Sequence, residues 1–143
     1  MSSARSRASR IASPQRPGAG RVLVAVRGDT VLGHLQLVET GKPGESEIKN
    51  MAVREDHRGR GVGGALLDAA VELVTHERGT QLVAATAAAD VGNLRCYQRQ
   101  GFRMRSVERD AFTPATGYPA EIRIDGIALR DRVWLDRSLT PEP

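Results

Sequence analysis

The chain has 143 residues, a formal net charge of +4, 40% hydrophobic residues and a single cysteine, Cys96. That length supports one domain with one core, no apolar run reaches the length of a membrane span, and a lone cysteine excludes intrachain disulfides and suits a reducing compartment. One cysteine and three scattered histidines (His34, His57, His76) give no zinc-ligand spacing, so no metal is expected.

The charge is concentrated at one end. Residues 1–21 carry five arginines (Arg5, Arg7, Arg10, Arg16, Arg21) and no acid, which leaves the rest of the chain at −1. Residues 1–20, rich in Ser, Ala, Arg, Pro and Gly, show no apolar periodicity and are expected to be a disordered tail ahead of a folded domain over 21–143. Their composition fits a solvated tail, an interaction arm or an Arg- and Ser-rich targeting segment. No aromatic residue interleaves the arginines, so base stacking is not supported and nucleic acid is not an expected partner.

Val22–Val26 and Val31–Val38 flank Arg27-Gly28-Asp29-Thr30 and predict a hairpin. A second loop at Gly41-Lys42-Pro43-Gly44 leads into a strand over 45–53. A glycine-rich turn follows. Val62, Leu66, Ala69 and Leu73, with Ala65, Ala70 and Val74, then form the apolar stripe of a helix that Gly79 ends. Gln81–Thr86 is a short buried strand, and Val91–Arg99 a second helix opened by Asp90 or Asn93 and closed by Gly101. Phe102–Glu108 and Ala128–Leu135 are late strands joined by a long connection.

The turn Arg58-Gly59-Arg60-Gly61-Val62-Gly63-Gly64 is the most informative stretch. Its glycines bare the backbone and permit φ > 0, so amides can converge on an anion, and the following helix adds the positive end of its dipole. A Walker loop is excluded because no lysine ends the turn. Gly59, Gly61 and Gly64 match a dinucleotide G-x-G-x-x-G, but Arg54–Arg58 separates them from the strand and no acid ends the next strand.

A third phosphate-binding pattern fits. Arg58-x-x-Gly61-x-Gly63 is similar to the Q/R-x-x-G-x-G/A signature of the GNAT acyltransferases. Glu47-Ile48-x-x-Met51-Ala52-Val53 resembles that family's fourth strand, and Asn93-x-x-x-Tyr97 before Gly101-Phe102 resembles its later helix and strand. The resemblance implies an α/β fold (a mixed α+β sheet), without the family's usual first strand and two N-terminal helices, whose place is taken by the Arg/Ser tail. Those helices wall the family's acceptor site, so the 109–126 connection and a second subunit are candidates to complete it.

The same resemblance implies acetyl-CoA as cosubstrate. Its pyrophosphate would sit on the amides of Gly59, Gly61, Val62, Gly63 and Gly64, with Arg58 and Arg60 nearby, and its pantetheine arm along the main chain of Met51, Ala52 and Val53. Tyr97 would be the general acid for the departing thiolate, Glu47 the candidate base, and Asn93 a cofactor contact or a helix cap. Glu45 lies on the Glu47 face of the strand and can perturb it by like charge. Each residue also has a plainer reading: core aromatic for Tyr97, exposed strand acid for Glu47, solvated charge for Arg58 and Arg60.

The expectation is an N-acetyltransferase that moves the acetyl group directly to an amine, on a small molecule or a peptide. A non-catalytic coenzyme A-binding or regulatory domain and an Arg-tail nucleic-acid-binding protein are the alternatives. Family habit implies a homodimer, and no membrane partner is expected. Nineteen arginines against two lysines hint at a GC-rich bacterial genome and hence the cytoplasm.

Overall fold

The computed structural model describes residues 7–11 and 20–140, which divide into two compact units, Met1–Leu82 with Ser138–Pro143, and Val83–Arg137. In the first unit, β1 (Arg7–Ile11), β2 (Arg21–Arg27), β3 (Thr30–Glu39) and β4 (Glu45–Val53) form an antiparallel meander in chain order. The β2–β3 turn is the predicted one, with Gly28 at φ 59°. Helix α1 (Val62–His76) packs across β2, β3 and β4.

The buried face of α1 is the row Val62, Leu66, Ala70, Val74 together with Leu67. The expected stripe is therefore offset: Ala69 and Leu73 are half-buried, and Leu67, absent from the sequence expectation, is fully enclosed. The i, i+4 row lies on the meander beside Leu35, Leu37 and Ile48, and each such leucine stabilises the unit by about 1.5–3 kcal/mol. The helix ends at His76, earlier than the expected stop at Gly79: Glu77 is its C-cap and Arg78 takes the left-handed position at φ 66°, while a side chain at Gly79 would meet the Val74 Cγ1 at 2.3 Å.

Strand β1 corrects the expectation of disorder and of a missing strand for its own five residues. Arg7 to Ile11 pair with Val26 to Val22. Edge pairing runs through main-chain groups and needs no apolar periodicity, which is why composition did not reveal it. Residues 1–6 and 12–19 of the expected tail lie outside the described residues.

The chain passes into the second unit within β5 (Gln81–Ala87). Helix α2 (Val91–Arg99) follows, then β6 (Arg103–Glu108), a small hairpin of β7 (Arg123–Ile124) and β8 (Ile127–Ala128), and β9 (Arg132–Ser138). Strand β9 lies between β5 and β6 and runs antiparallel to β6. The last strand was expected at Ala128–Leu135; instead Ala128 closes the β7–β8 hairpin, whose turn carries Asp125 and Gly126 at positive φ, and β9 starts four residues later. Val83, Ala84, Tyr97, Phe102, Val133 and Leu135 form the core of this unit.

Candidate active site

Strand β4 is irregular where its chemistry is expected. Leu37 pairs with Ile48 and Gln36 with Asn50, so Lys49 is an inserted residue, a β-bulge. Ahead of it the even residues Ser46 and Ile48 are buried; after it the odd residues Met51 and Val53 are the covered ones and Ala52 is exposed. One extra residue reverses the faces. Glu47 therefore shares its side of β4 with Ala52 and not with Met51, although their spacing of four suggests the opposite. Glu45 and Glu47 both precede the bulge and share a face, as expected.

Val53 hands the chain to a single 3-10 turn, Glu55–His57, and then to the glycine turn. Asp56 bridges the 3-10 turn, accepting from Arg54 Nη2 at 3.1 Å and meeting His57 Nδ1 at 2.9 Å. The His57 hydrogen bond, followed by the Arg54 charge, holds the Asp56 carboxyl below its ordinary range. The Arg58 side chain folds back, its Nε donating to the Val53 carbonyl at 3.4 Å. Arg60 is exposed.

Gly59 and Gly61 adopt φ of 75° and 83°, and a Cβ on either would meet nothing within 4 Å. The glycines thus serve backbone conformation and leave an open approach. Gly61 is the N-cap of α1, with no side chain capping it. The first helical bond runs from Ala65 N to Gly61 O at 3.0 Å, and no amide from Gly59 to Gly64 donates to a described atom. A helix N-terminus with these amides unbonded in an exposed turn is suited to a multiply charged anion such as a pyrophosphate.

Gly33 was not anticipated. A Cβ there would stand 2.7 Å from the Ala52 carbonyl oxygen and 3.3 Å from both Leu66 and Val62. Its bareness lets the first turns of α1 settle onto β3 and β4, which sets where the amides of the turn point. The sequence signal was a lone glycine inside an apolar strand.

The second unit holds the remaining candidates. Asp90 caps α2, its Oδ1 accepting from Asn93 N at 3.0 Å, so Asp90 rather than Asn93 opens the helix. The Asn93 amide is freed to donate to Thr86 Oγ1 at 3.4 Å. Tyr97 is 3% exposed, its ring edge-on to Phe102 with centroids 5.3 Å apart. Burial is the main cause that pushes its hydroxyl pKa well above the usual tyrosine value. Every buried side-chain oxygen or nitrogen among the described residues has a partner. The Tyr97 hydroxyl hydrogen-bonds to no described residue, so it opens to solvent at its tip while its ring is enclosed. Burial likewise pushes the Cys96 thiol up, which suits packing and not nucleophilic attack.

A cavity of about 430 Å³ opens beside Lys42, Gly44, Glu45 and Arg78. It is at the C-terminal end of α1, whereas the glycine turn is at its N-terminal end, so the two are separate. Among the described residues no group of three or more potential ligands gathers for a metal, and no helix is long and apolar enough to cross a membrane.

Residues 3–102 match the family model described as the Acetyltransferase (GNAT) family. The chain is 31% identical over 119 residues to the uncharacterized N-acetyltransferase YvbK of Bacillus subtilis (strain 168), covering 82% of this chain and 75% of that protein. Its fold superposes on the IAA acetyltransferase of Bacillus cereus ATCC 14579 with a TM-score of 0.77 and 37% identity, over 83% of this chain and 77% of that one. A Bacillus subtilis acetyltransferase solved in complex with CoA gives a TM-score of 0.76 and 30% identity, over 85% and 78% of the two chains. The glycine turn, the bulged strand before it and these likenesses agree: the chain belongs to the GNAT family of acetyltransferases.

Proposed function

We propose that this protein is an acetyl-CoA-dependent N-acetyltransferase that transfers the acetyl group directly to an amine. The observation that carries the reading is the row of unbonded amides from Gly59 to Gly64 at the start of α1, reached through two open left-handed glycines. These amides hold the pyrophosphate, Arg60 adds charge beside it, and Arg58 braces the turn through Val53. The main chain of Met51, Ala52 and Val53 bonds the pantetheine arm. Asn93 steadies the end of β5 through Thr86 and contributes to the cofactor side of the second unit.

Acetyl-CoA supplies an activated thioester. The amine must attack as a neutral nucleophile, so its proton has to leave; Glu47 takes it, directly or through water. The new amide bond forms as the carbon–sulfur bond breaks, and a main-chain N–H near Met51 or Ala52 faces the oxygen that gains charge. Tyr97 gives the leaving thiolate its proton. Burial keeps the phenol protonated throughout the working pH range, and its open tip makes that proton available. The protein is read as a bacterial enzyme, in keeping with its bacterial relatives, and as a cytoplasmic homodimer.

Thermal unfolding with acetyl-CoA, coenzyme A, NAD and ATP in parallel tests the reading. At 100 times its dissociation constant a ligand adds about 2.7 kcal/mol of stability, a shift of several degrees. Stabilisation by acetyl-CoA and coenzyme A, followed by thiol release with an amine, supports it. A shift with NAD alone, or none, overturns it.

A further inference from the structure

Three of the five aromatic rings of the chain, Phe112, Tyr118 and Trp134, gather in the second unit around one cation. The Arg132 guanidinium carbon lies 4.8 Å from the Phe112 ring centroid and 5.9 Å from that of Trp134. Its Nη1 donates to Glu108 Oε1 at 3.2 Å, and the same oxygen accepts from Trp134 Nε1 at 3.1 Å. Phe112 is held in turn by the edge of Tyr118, with centroids 5.0 Å apart.

The neighbouring charges bond one another. Arg130 Nε meets Asp110 Oδ1 at 2.6 Å, and Asp131 Oδ1 accepts from Asp110 N at 2.9 Å. Arg132 differs. A guanidinium carries five N–H donors, and only Nη1 has a described partner, with the side chain 27% exposed. Two aromatic faces and one carboxylate fix its plane, while Nε and Nη2 remain able to donate. Such a fork is a preorganised receptor for a carboxylate.

Topology puts this fork at one end of the sheet in the second unit. Ala88, just past β5, donates to the Asp131 carbonyl at 2.8 Å, and Glu108, the last residue of β6, pairs with Arg132, the first of β9. The end of β5, the end of β6 and the start of β9 thus share one end of the sheet in this unit. Helix α2 begins there too, three residues after β5. Side chains on a helix lean toward its N-terminus, and the Asp90 charge at that end acts on the Tyr97 hydroxyl.

We propose that Arg132 is the carboxylate anchor of the acceptor site, so that the amine acetylated by this protein is an amino acid with a free carboxylate. The proposal rests on the acetyltransferase reading above and narrows its acceptor. Phe112 and the 36% exposed Tyr118 add apolar surface beside the fork, which favours an apolar side chain. The plainer alternative is a latch that ties the 109–131 connection to β9, and the two differ in what they discriminate. A latch affects all acceptors equally; an anchor separates amines that carry a carboxylate from those that do not.

The experiment uses the full chain, acetyl-CoA and thiol release with two matched pairs, L-phenylalanine against phenethylamine and L-leucine against isoamylamine. Wild type, Arg132→Gln and Arg132→Lys are compared. In wild type the amino acid exceeds its decarboxylated partner in kcat/KM by about ten- to a hundredfold, the worth of a charged hydrogen-bonded pair. Arg132→Gln closes that gap, raising the KM of the amino acid far more than that of the plain amine, and Arg132→Lys restores part of it. Equal use of both members of a pair overturns the proposal, as does an equal loss for both in Arg132→Gln. Turnover of neither, with acetyl-CoA still raising the unfolding temperature, overturns the amino-acid assignment alone; loss of that stabilisation overturns the acetyltransferase reading beneath it.

Discussion

Replacing Gly61 with alanine separates the two duties assigned to the glycine turn. Gly61 has φ 83° and ψ 7°, and a Cβ there would meet nothing within 4 Å. The penalty is therefore backbone strain without steric overlap, about 1–2 kcal/mol for a left-handed L-residue. That strain has two outlets. If the turn holds its shape, the unfolding temperature falls by about 3–8 °C and acetyl-CoA binds as before. If the turn relaxes to negative φ, stability recovers but the amides swing off the anion, and losing one charged hydrogen bond weakens acetyl-CoA by about ten- to a hundredfold. Thermal unfolding with and without acetyl-CoA, together with calorimetric titration, measures both. Asparagine tolerates the left-handed region better than alanine, so Gly61→Asn recovers part of whichever loss is seen. A Gly61→Ala protein that loses neither stability nor affinity, or a Gly61→Asn protein worse than it on both counts, refutes the assignment.

Tyr97→Phe keeps the edge-on contact with Phe102 and lowers kcat about a hundredfold with acetyl-CoA affinity unchanged, as single-turnover thiol release will show. Because burial raises its pKa in the folded state, Tyr97 contributes stability that is complete below its ordinary value of 10.0 and declines as pH rises beyond it, so alkaline unfolding of Tyr97→Phe is less steep than that of wild type. Glu47→Gln lowers kcat while leaving the KM for acetyl-CoA intact; an unchanged kcat assigns Glu47 to the solvated strand face. Gly33→Ala forces a methyl to 2.7 Å from the Ala52 carbonyl and destabilises the protein by about 1–3 kcal/mol in urea unfolding. Asp56, whose pKa is lowered chiefly by its hydrogen bond to His57, adds stability present above its unfolded value of 3.8 and lost as pH falls below it, so the gap between wild type and Asp56→Asn closes in acid titration.

What the sequence showed was what local rules govern. Strand 45–53 and helix 91–99 were read to the residue, because alternation or an Asp cap marks one end and a turn or glycine the other. The open glycines of the turn were legible for the same reason. The bulge at Lys49 was not, since an inserted residue looks like any other until the partner strand counts against it. Nor was β1, whose pairing depends on β2 offering an edge. Strand β9 was placed early because Ile127-Ala128 is apolar and follows a turn, yet those residues pair locally with β7. Tyr97 and Asn93 came from their likeness to the family's helix, and Arg132 escaped notice because its aromatic partners are up to 20 residues away in sequence.

Several departures from regular structure in the first unit fall together. The Lys49 bulge, the close approach at Gly33, the Asp56 bridge and the left-handed Gly59 and Gly61 all fall where β3 and β4 meet the start of α1. Each has a local cost, and of these the bare Gly33 also serves packing, since it admits Leu66 and Val62 onto β3. A fold that only had to be stable would cap α1 with a serine or aspartate and run β4 straight. This one leaves the cap to glycine, with the first amides unbonded, and turns β4 over midway so that Glu47 and Ala52 share a face. Irregularities gathered at the turn proposed to hold the cofactor are what function imposes on an otherwise consistent sequence. The second unit repeats the pattern on its own scale, with an enclosed ring whose hydroxyl stays open and a guanidinium fixed on three sides with its remaining donors free. Removing the Asp90 cap is therefore expected to weaken α2 alone, whereas the proposed anchor predicts that removing Arg132 changes which amine is accepted.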